Sequence, residues 1–501
     1  MTVTDADADA DVAVVGYGPV GNALAILLAQ LGRSVVVLER WPEPYTLPRA
    51  VHFDHEVGRI FQSCGIGDEL RAISEPADIY EWRNRDGVTL LRFGRTGDGP
   101  SGWPLSSMFN QPALEALLDR RARALDGLTV RRGVEVAGLA QADDAVVLRS
   151  TAGEEWRARY AVGCDGANSA VRTLTGLPTE DLGFFYDWLI VDVVLDEDRE
   201  FEPRNLQICD PRRPTTAVSG GPGRRRWEFM RLPHETRDEL NDEDRAWALL
   251  APWDVHPGNA RLERHAIYTF NARYAGRWRA GRVLVAGDAA HLMPPFAGQG
   301  MCAGIRDAAN LAWKLALVLD GHAPDTLLDA YEQERVPSVR TAIEFSMELG
   351  KVICVPDAVD AAARDEAMAA AVGPEPADAP PLPGIDAGIV HPTAPHAGRL
   401  FVQGTVEGRP FDDVHGAGWR LVTVAFDAPG LDAGSHAWFE SIGGRVVALA
   451  SPDPVHERWF LDHDTTWALV RPDFHLYGTA TSAAGASALL DDLRRDLTAG
   501  L

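Results

Sequence analysis

The chain has 501 residues and a formal net charge of -25, and a chain of this length usually folds as two or three domains. Its acidic excess repels phosphate backbones and anionic bilayers, so we expect neither a nucleic-acid partner nor a membrane partner. Five cysteines without a Cys-x-x-Cys spacing predict reduced thiols in a cytoplasmic protein and no metal site.

The N-terminal region predicts a short tail followed by a βαβ unit. Residues 1–10 are rich in Asp and Ala, and we expect them to be disordered. Residues 12–15 then predict a strand, residues 19–31 a buried helix, and residues 34–38 a second strand that Glu39 closes. This alternation is typical of a parallel sheet.

A glycine motif occupies the turn between the first strand and the first helix. A tight turn needs its first glycine, close approach to a pyrophosphate needs the second, and close packing of the helix on the sheet needs the third. Glu39 follows about 20 residues later, where an acid binds ribose hydroxyls. The alternative is a structural turn and a surface glutamate. The motif residues are Gly16, Gly18, Pro19, Val20 and Gly21.

The middle of the chain alternates between helical and strand-like patterns. The predicted elements are helices at 55–73 and 111–125, a hairpin at 80–93, and strands at 128–139 and 145–150. Residues 187–270 are mostly strand-like with turn signals, which favours an antiparallel sheet. Within them, Arg224, Arg225 and Arg226 predict a solvated turn, and a basic patch for a carboxylate is the alternative.

Two further motifs follow predicted strands. The first is Asp165-Gly166, which by itself indicates no more than a turn that ends a strand. The second is Gly287-Asp288, after a strand at 282–286, where an acid can accept a ribitol hydroxyl. A loop with Pro295, Gly298, Gly300 and Met301 comes next and leads into a helix at 301–318, whose N-terminus favours an anion. The alternative is a glycine-rich loop without a ligand.

The C-terminal part begins after a segment dense in Pro, Ala and Gly at 372–396, which predicts a linker. Beyond it, the predicted elements are strands at 421–426, 446–450 and 467–470 and an amphipathic helix at 483–497. No cysteine follows Cys354, so this part cannot carry out dithiol chemistry.

Taken together, the three motifs resemble those of the single-component flavoprotein aromatic hydroxylases, in which GxGxxG, DG and GD follow in this order. The likeness extends over nearly the whole chain. Residues 48–54 and 110–112 are similar to the branch that contains 3-(3-hydroxyphenyl)propionate hydroxylase and phenol hydroxylase. The C-terminal part resembles the thioredoxin-like domain of many phenol hydroxylases.

The resemblance implies an α/β fold with a Rossmann-like FAD-binding domain of the p-hydroxybenzoate hydroxylase type. A mixed or antiparallel substrate-binding sheet domain interrupts it, and a thioredoxin-like domain without redox cysteines follows, as a dimer contact or a brace. The expected ranges are 11–78, 100–180 and 275–371 for the FAD-binding domain, 79–99 and 181–274 for the sheet domain, 372–396 for the linker and 397–501 for the C-terminal domain.

The resemblance also implies the cofactors and the chemistry. NADH or NADPH reduces FAD, O2 adds to give a flavin C4a-hydroperoxide, and the ring of a phenolic substrate attacks its distal oxygen. The implied FAD contacts are Gly16, Gly18, Pro19, Val20, Gly21, Glu39, Arg40, Arg49, Gln111, Asp165, Gly287, Asp288, Pro295, Gly298, Gly300 and Met301.

A phenol hydroxylase also needs a group that accepts or orients the phenolic proton. Asp54 and Tyr268 match the positions of an active-site aspartate and tyrosine in that branch, and they are our predicted catalytic pair. The alternatives are a helix N-cap for Asp54 and a core aromatic for Tyr268. The predicted substrate pocket consists of His52, Tyr186, Trp188 and Pro295.

Two other functions are compatible with the motifs. One is a flavin oxidase or dehydrogenase that acts on an aromatic or polyketide intermediate and inserts no oxygen. The other is a non-catalytic protein that holds FAD as a structural element. The sequence determines neither which phenol is the substrate nor whether NADH or NADPH is the reductant.

Overall fold

The computed structural model describes residues 9–378, 384–425 and 430–499. Residues 1–8 of the predicted tail lie outside these ranges, but Ala10 is not part of a tail, because it begins the first strand. Phe426, predicted at the end of a strand, also lies outside them. Among the described helices, none has the length and apolar composition needed to cross a bilayer.

Strands and helices alternate along the described chain. The strands are β1 (Ala10–Val15), β2 (Val35–Glu39), β3 (His52–Asp54), β4 (Ser74–Pro76), β5 (Ile79–Arg83), β6 (Thr89–Gly94), β7 (Ser106–Phe109), β8 (Leu128–Arg132), β9 (Val136–Gln141), β10 (Val146–Ser150), β11 (Glu155–Gly163), β12 (Thr179–Leu195), β13 (Asn205–Ile208), β14 (Thr215–Ser219), β15 (Arg224–Met230), β16 (Ala260–Ala275), β17 (Arg279–Ala280), β18 (Val283–Val285), β19 (His291–Leu292), β20 (Ala377–Asp378), β21 (Thr405–Val406), β22 (Arg409–Pro410), β23 (Arg420–Thr423), β24 (Arg445–Ala448), β25 (Trp467–Val470) and β26 (Leu476–Ala480).

The helices are α1 (Pro19–Gln30), α2 (His55–Ser63), α3 (Gly67–Ala72), α4 (Gln111–Arg123), α5 (Ala170–Thr175), α6 (Arg237–Leu240), α7 (Glu243–Leu250), α8 (Gly300–Leu319), α9 (Asp329–Ile353), α10 (Ala358–Ala371), α11 (Phe411–His415), α12 (Ala433–Ser441), α13 (Pro454–Asp462) and α14 (Ala483–Ala499). Short 3-10 turns cover Ala251–Trp253, Gly287–Ala289, Pro295–Ala297 and Asp325–Leu328.

The first sheet is built around β1. Its main order is β17-β18-β11-β1-β2-β8, and the pairs from β18 to β8 are parallel. Nearly every residue of β1 and β2 is buried, because helices cover a parallel sheet on both faces. The carboxyl ends of β1, β11 and β18 therefore bring the three glycine-containing motifs to one edge.

The second sheet provides a broad wall beside the first. Its order is β19-β16-β12-β15-β14-β13-β5-β6-β20. The pairs are antiparallel except for β5 with β13 and β6 with β20, so the sheet is mixed. The predicted architecture, an FAD-binding α/β domain interrupted by a mixed sheet, is confirmed.

Two local predictions were wrong. The helix predicted at 55–73 is divided into α2 and α3, because Gly65 between them has a φ of 84°. The residues 224–226 do not form a solvated turn. They begin β15 after a turn at Gly221 and Gly223, and the Arg226 side chain is buried in an ion pair with Asp192.

The C-terminal sheet has the order β24-β23-β25-β26. β23 and β24 are parallel, the other two pairs are antiparallel, and α14 packs on β25 and β26. This topology supports the thioredoxin-like assignment, which stays a prediction. The described part of the predicted linker is packed, since β20 pairs with β6 and Ile389 is buried.

A buried ionic cluster joins the C-terminal part to the FAD-binding part. Arg471 contacts Glu334 of α9 and Asp473 at 2.6 Å each, and Lys314 of α8 contacts Glu334 at 2.8 Å. Burial opposes ionisation of Glu334, but its attraction to Arg471 outweighs this and lowers its pKa to about 2. The C-terminal part is thus tied to the two long helices that follow the flavin motifs.

Candidate active site

The glycine motif after β1 forms a turn with an open side. Gly16 has a φ of 98°, and a Cβ at Gly21 would lie 2.1 Å from the Gly16 carbonyl oxygen. A Cβ at Gly18 would have no protein atom within 4 Å. Gly18 is the N-cap of α1 and makes no side-chain cap, so the first N–H groups of the helix remain available to a phosphate.

Glu39 closes the next part of this site. Its carboxylate accepts hydrogen bonds from the backbone N–H groups of Tyr17 and Trp41, both at 2.8 Å. It lines a cavity of about 150 Å³ together with Arg40 and Arg49. The two backbone bonds fix the carboxylate and leave it lone pairs for ribose hydroxyls.

Gln111 and Asp165 support this cavity from either side. The Gln111 side-chain oxygen accepts from the Ala50 N–H at 2.6 Å, which fixes the chain beside Arg49. The Asp165 carboxylate accepts from the Ala170 N–H at 2.7 Å at the start of α5. Both side chains line the cavity, and their protein contacts show that they also shape its wall.

Asp288 follows β18 and faces a second cavity of about 360 Å³. None of the described residues donates a hydrogen bond to its carboxylate, which is exposed to the cavity but surrounded by protein. Burial raises its pKa above the ordinary value. A carboxylate at this position without a hydrogen-bond donor from the protein can accept a hydrogen bond from a ribitol hydroxyl.

The loop before α8 faces the same cavity. Gly298 has a φ of 66°, and a Cβ there would lie 2.8 Å from Nδ1 of His52. α8 begins at Gly300 without a side-chain cap, and Gly300 and Met301 line the cavity. The free N–H groups and the helix dipole therefore point at whatever anion occupies this end.

His52 lies at the junction between this loop and the cavity wall. Its Nδ1 is 3.1 Å from the Gly298 carbonyl oxygen, and its Nε2 is 2.8 Å from Oγ of Ser106. Burial, followed by repulsion from Arg95, lowers its pKa to about 4. His52 is therefore neutral at pH 7 and holds the loop in place.

The structure does not bring the predicted catalytic pair to the cavity. Asp54 caps α2 by accepting from the Val57 N–H at 3.1 Å, and both of its oxygens contact Nη2 of Arg306 at 2.8 Å. Burial opposes ionisation of Asp54, but Arg306 outweighs it and holds the pKa well below the ordinary value. Tyr268 packs its ring against the guanidinium of Arg264, 4.4 Å away.

Two of the predicted substrate contacts also lie outside the cavity lining. Trp188 is fully buried and stacks on Phe270 with ring centroids 5.7 Å apart. Tyr186 packs on Phe184 with centroids 5.1 Å apart. Trp188 and Phe184 contact Phe296 directly and so support the loop that contains it. Pro295 and His52 do line the cavity.

The wall opposite the flavin motifs comes mainly from the second sheet, and apart from Arg226, named above in the alternative of a basic patch, its residues were not predicted. The polar residues of this wall are Tyr80, Arg95, Asn205, Thr216, Arg226 and Glu228. Apolar side chains also line the cavity: Val218 of this sheet, Met108 of β7 and Val51 just before β3. One signal was present in the sequence: in 224–230, charged residues alternate with Trp227 and Phe229, which is typical of a strand with one polar face.

Arg95 and Glu228 are the two charged groups of this wall without a close partner of opposite charge. Arg95 makes no ion pair with any described residue and donates only a long bond, 3.3 Å, to Ser106. Glu228 lies 3.8 Å from Nη1 of Arg226, which is already paired with Asp192. Burial raises the pKa of Glu228 to about 7.

The fold and these cavities together define an FAD-binding flavoprotein. Residues 9–346 match the family model described as FAD binding domain, and the chain belongs to this family. A probable NADH-specific resorcinol 4-hydroxylase of Rhodococcus jostii is 41% identical over 96% of this chain and 94% of its own length. A 3-(3-hydroxy-phenyl)propionate/3-hydroxycinnamic acid hydroxylase of a Mycobacterium species is 35% identical over 95% of this chain and 85% of its own.

Solved structures that resemble this chain are also those of hydroxylases. Aklavinone-11 hydroxylase in complex with FAD and aklavinone is 26% identical, covers 98% of this chain and 99% of its own, and has a TM-score of 0.80. The OxyS anhydrotetracycline hydroxylase of Streptomyces rimosus is 26% identical over 97% and 99%, with a TM-score of 0.74. The chain is thus a flavin-dependent aromatic hydroxylase, and the expected resemblance is confirmed.

Proposed function

We propose that this hydroxylase acts on a small dihydric phenol, resorcinol or a close analogue, with NADH as the reductant. The similarity to the Rhodococcus protein supports this choice because it extends over nearly the full length of both chains. The observation that carries the proposal is the far wall of the 360 Å³ cavity, in which Arg95 and Glu228 are polar groups among apolar side chains. Such a pocket orients a ring through a few polar contacts.

The residues around the proposed flavin site have separate tasks. Gly18 and the start of α1 would hold the pyrophosphate, Glu39 the ribose, and Asp288 the ribitol chain. The start of α8 would face the ring end that becomes anionic on reduction. When bound, FAD would pass electrons from the nicotinamide to O2, which supplies the oxygen atom for hydroxylation.

The remaining groups act on the substrate in this proposal. Met108 and Val218 exclude water from the ring, which limits unproductive loss of the activated oxygen. The guanidinium of Arg95 favours the phenolate form of the substrate, because an unpaired cation lowers the pKa of a nearby acid. The predicted pair Asp54 and Tyr268 has no direct part in this proposal, since neither lines the cavity.

A carboxylated phenol is the second candidate. Arg95 has no carboxylate partner among the described residues, and a substrate carboxylate could fill that role. The relative named for 3-(3-hydroxy-phenyl)propionate supports this candidate at lower identity. In that case Arg95 would bind the side chain of the substrate instead of its phenolate oxygen.

A substrate panel distinguishes the two candidates. Purified, FAD-loaded protein is mixed with NADH or NADPH and with resorcinol, 3-(3-hydroxyphenyl)propionate or 1,3-dimethoxybenzene, which has no ionisable hydroxyl. We expect resorcinol to stimulate NADH oxidation most and to yield a product with one atom from labelled O2. If only 3-(3-hydroxyphenyl)propionate stimulates NADH oxidation, the proposal of a dihydric phenol as substrate is wrong. If the product contains no labelled oxygen, the proposal of oxygen insertion is wrong.

We also propose a cytoplasmic location and a homodimer. The five cysteines, which are free and mostly buried, support the reducing location. A sedimentation experiment at several protein concentrations tests the dimer, and a constant monomer mass would refute it.

A further inference from the structure

We propose that Glu228 is the catalytic base that takes the proton from the substrate hydroxyl. The proposal rests on the phenolic substrate class and holds for resorcinol and for a carboxylated phenol alike. Nothing in the family motifs points to this residue, which lies in the second sheet and is part of none of the three.

The register of β15 directs Glu228 to the cavity. Trp227 and Phe229 lie in a separate apolar cluster on one face of the sheet. Because side chains alternate along a strand, Arg226 and Glu228 belong to the opposite face, and both line the cavity. Thr216 of β14, which also lines the cavity, is the neighbour of Glu228 across the strand pair.

The groups around Glu228 leave its carboxyl free for a ligand. Nε and Nη2 of Arg226, on the same strand, donate to Asp192 of β12 at 2.7 and 3.0 Å. Nη2 also donates to the Pro48 carbonyl oxygen, and Nη1 donates to that of Arg49. The Thr216 hydroxyl donates to Gln207. No described residue donates a hydrogen bond to Glu228, although its side chain is only 10% exposed.

The charges that face Glu228 come from four strands. Arg226 of β15 and Arg264 of β16 favour the ionised form of Glu228, while the negative charge of Asp192 of β12 disfavours that form. Tyr80 of β5 also lies close enough for Glu228 to raise its pKa. Burial outweighs the two arginines, so the pKa of Glu228 rises to about 7. A base with this pKa accepts and releases a proton efficiently near neutral pH.

The proton transfer is balanced by groups of the cavity wall. An oxygen of the ionised Glu228 forms a bond to the phenolic proton, the O–H bond breaks, and its electron pair stays on the substrate oxygen. Glu228 becomes a neutral acid and the substrate a phenolate, with Arg95 as a nearby cation. The proton then leaves to solvent after turnover. The total charge of the site is unchanged by the transfer.

Other titratable groups near the cavity fit this task less well. Both nitrogens of His52 are engaged, and its pKa of about 4 is too low for a strong base at neutral pH. Asp54 is held ionised by Arg306 and does not line the cavity. The pKa of Tyr80 is raised by burial, so its phenol stays protonated.

The test compares Glu228→Gln, Glu228→Asp and a control, Glu263→Gln. Glu263 lies on β16 of the same sheet, pairs with Arg224 at 3.5 Å and does not line the cavity. Holoenzyme is assayed between about pH 5 and 9 for kcat/KM. We expect Glu228→Gln to lower kcat/KM by about 10²–10⁴-fold and to abolish the rise near pH 7. Glu228→Asp should retain part of the wild-type kcat/KM and part of its rise near pH 7, and Glu263→Gln should match the wild type.

A second measurement does not depend on turnover. 4-Nitrophenol changes colour on ionisation, so its absorbance in the bound state gives the fraction of phenolate. We expect Glu228→Gln to bind it as phenolate at lower pH than wild-type protein and Glu263→Gln do, because removing a carboxylate beside the hydroxyl lowers the pKa of the bound phenol. Equal ionisation with all variants, or an unchanged pH profile in Glu228→Gln, would overturn the proposal. If resorcinol is not hydroxylated, the proposed substrate is wrong. The nitrophenol result still tests the role of Glu228, so a wrong substrate and a wrong base give different results.

Discussion

The buried carboxyl of Glu228 should cost the protein stability at high pH. Burial raises its pKa to about 7 from the ordinary 4.5. Because the folded state keeps a proton that the unfolded state releases, stability falls as pH rises from about 4.5 to 7, and the full penalty remains above that range. The difference between the two pKa values corresponds to about 3 kcal/mol.

The substitution Glu228→Gln removes this penalty because the amide is neutral at every pH. Relative to wild type, the variant should gain about 3 kcal/mol at pH 8 and little at pH 4.5, where both side chains are neutral. At roughly 2 °C per kcal/mol, the gain in melting temperature at pH 8 is about 6 °C.

Thermal melting of the wild type and the variant at both pH values gives the result. Glu263→Gln is the matched control, and we expect its effect on stability to differ between the two pH values by less than about 1 kcal/mol. A difference between wild type and Glu228→Gln that is the same at both pH values would refute the reasoning, because it would exclude a proton held by the folded state. A gain in stability together with a loss of activity is typical of a functional residue kept at a cost.

Three further predictions concern the flavin end of the site and the opposite wall. Gly18→Ala should fold normally and bind FAD at least about tenfold more weakly in a fluorescence titration, whereas Gly21→Ala should fail to fold, because its Cβ would lie 2.1 Å from a carbonyl oxygen. Asp54→Asn should lower stability by about 3 kcal/mol in urea unfolding, since it leaves Arg306 with one of its two buried carboxylate partners, Glu56, and adding Arg306→Met should cost less than the sum of the two single changes. Arg95→Met should raise KM for the phenol about tenfold, measured by stimulated NADH oxidation, with an unchanged melting temperature.

The flavin motifs could be predicted from the sequence because each acts within a few consecutive residues. Gly16 to Gly21 must form a turn between a strand and a helix, and that local context fixes which atoms face the ligand. The same holds for Gly298 and the start of α8. Interactions of this kind depend on backbone geometry that neighbouring residues set.

The substrate wall could not be predicted in the same way. Tyr80 and Glu228 are almost 150 residues apart in sequence, and they line one cavity because β5, β13, β14 and β15 follow one another in one sheet. A change of one residue in the register of β15 would turn Trp227 to the cavity and bury Glu228 in the apolar cluster. Sequence periodicity indicates two faces, but pairing with distant strands decides which face meets the ligand.

Asp54 shows how a residue beside the site can matter without taking part in the chemistry. Its carboxylate caps α2, pairs with Arg306 of α8, and accepts from the Gln299 amide at 3.2 Å. Gln299 is the N-cap residue of α8, so the ion pair connects the end of β3 to the point where the flavin loop becomes a helix. A helix N-terminus stabilises charge only if its direction is fixed before the reaction. Asp54 and Arg306 therefore position that helix, and a loss of activity in Asp54→Asn should come with weaker flavin binding and with no change in the ionisation of bound 4-nitrophenol.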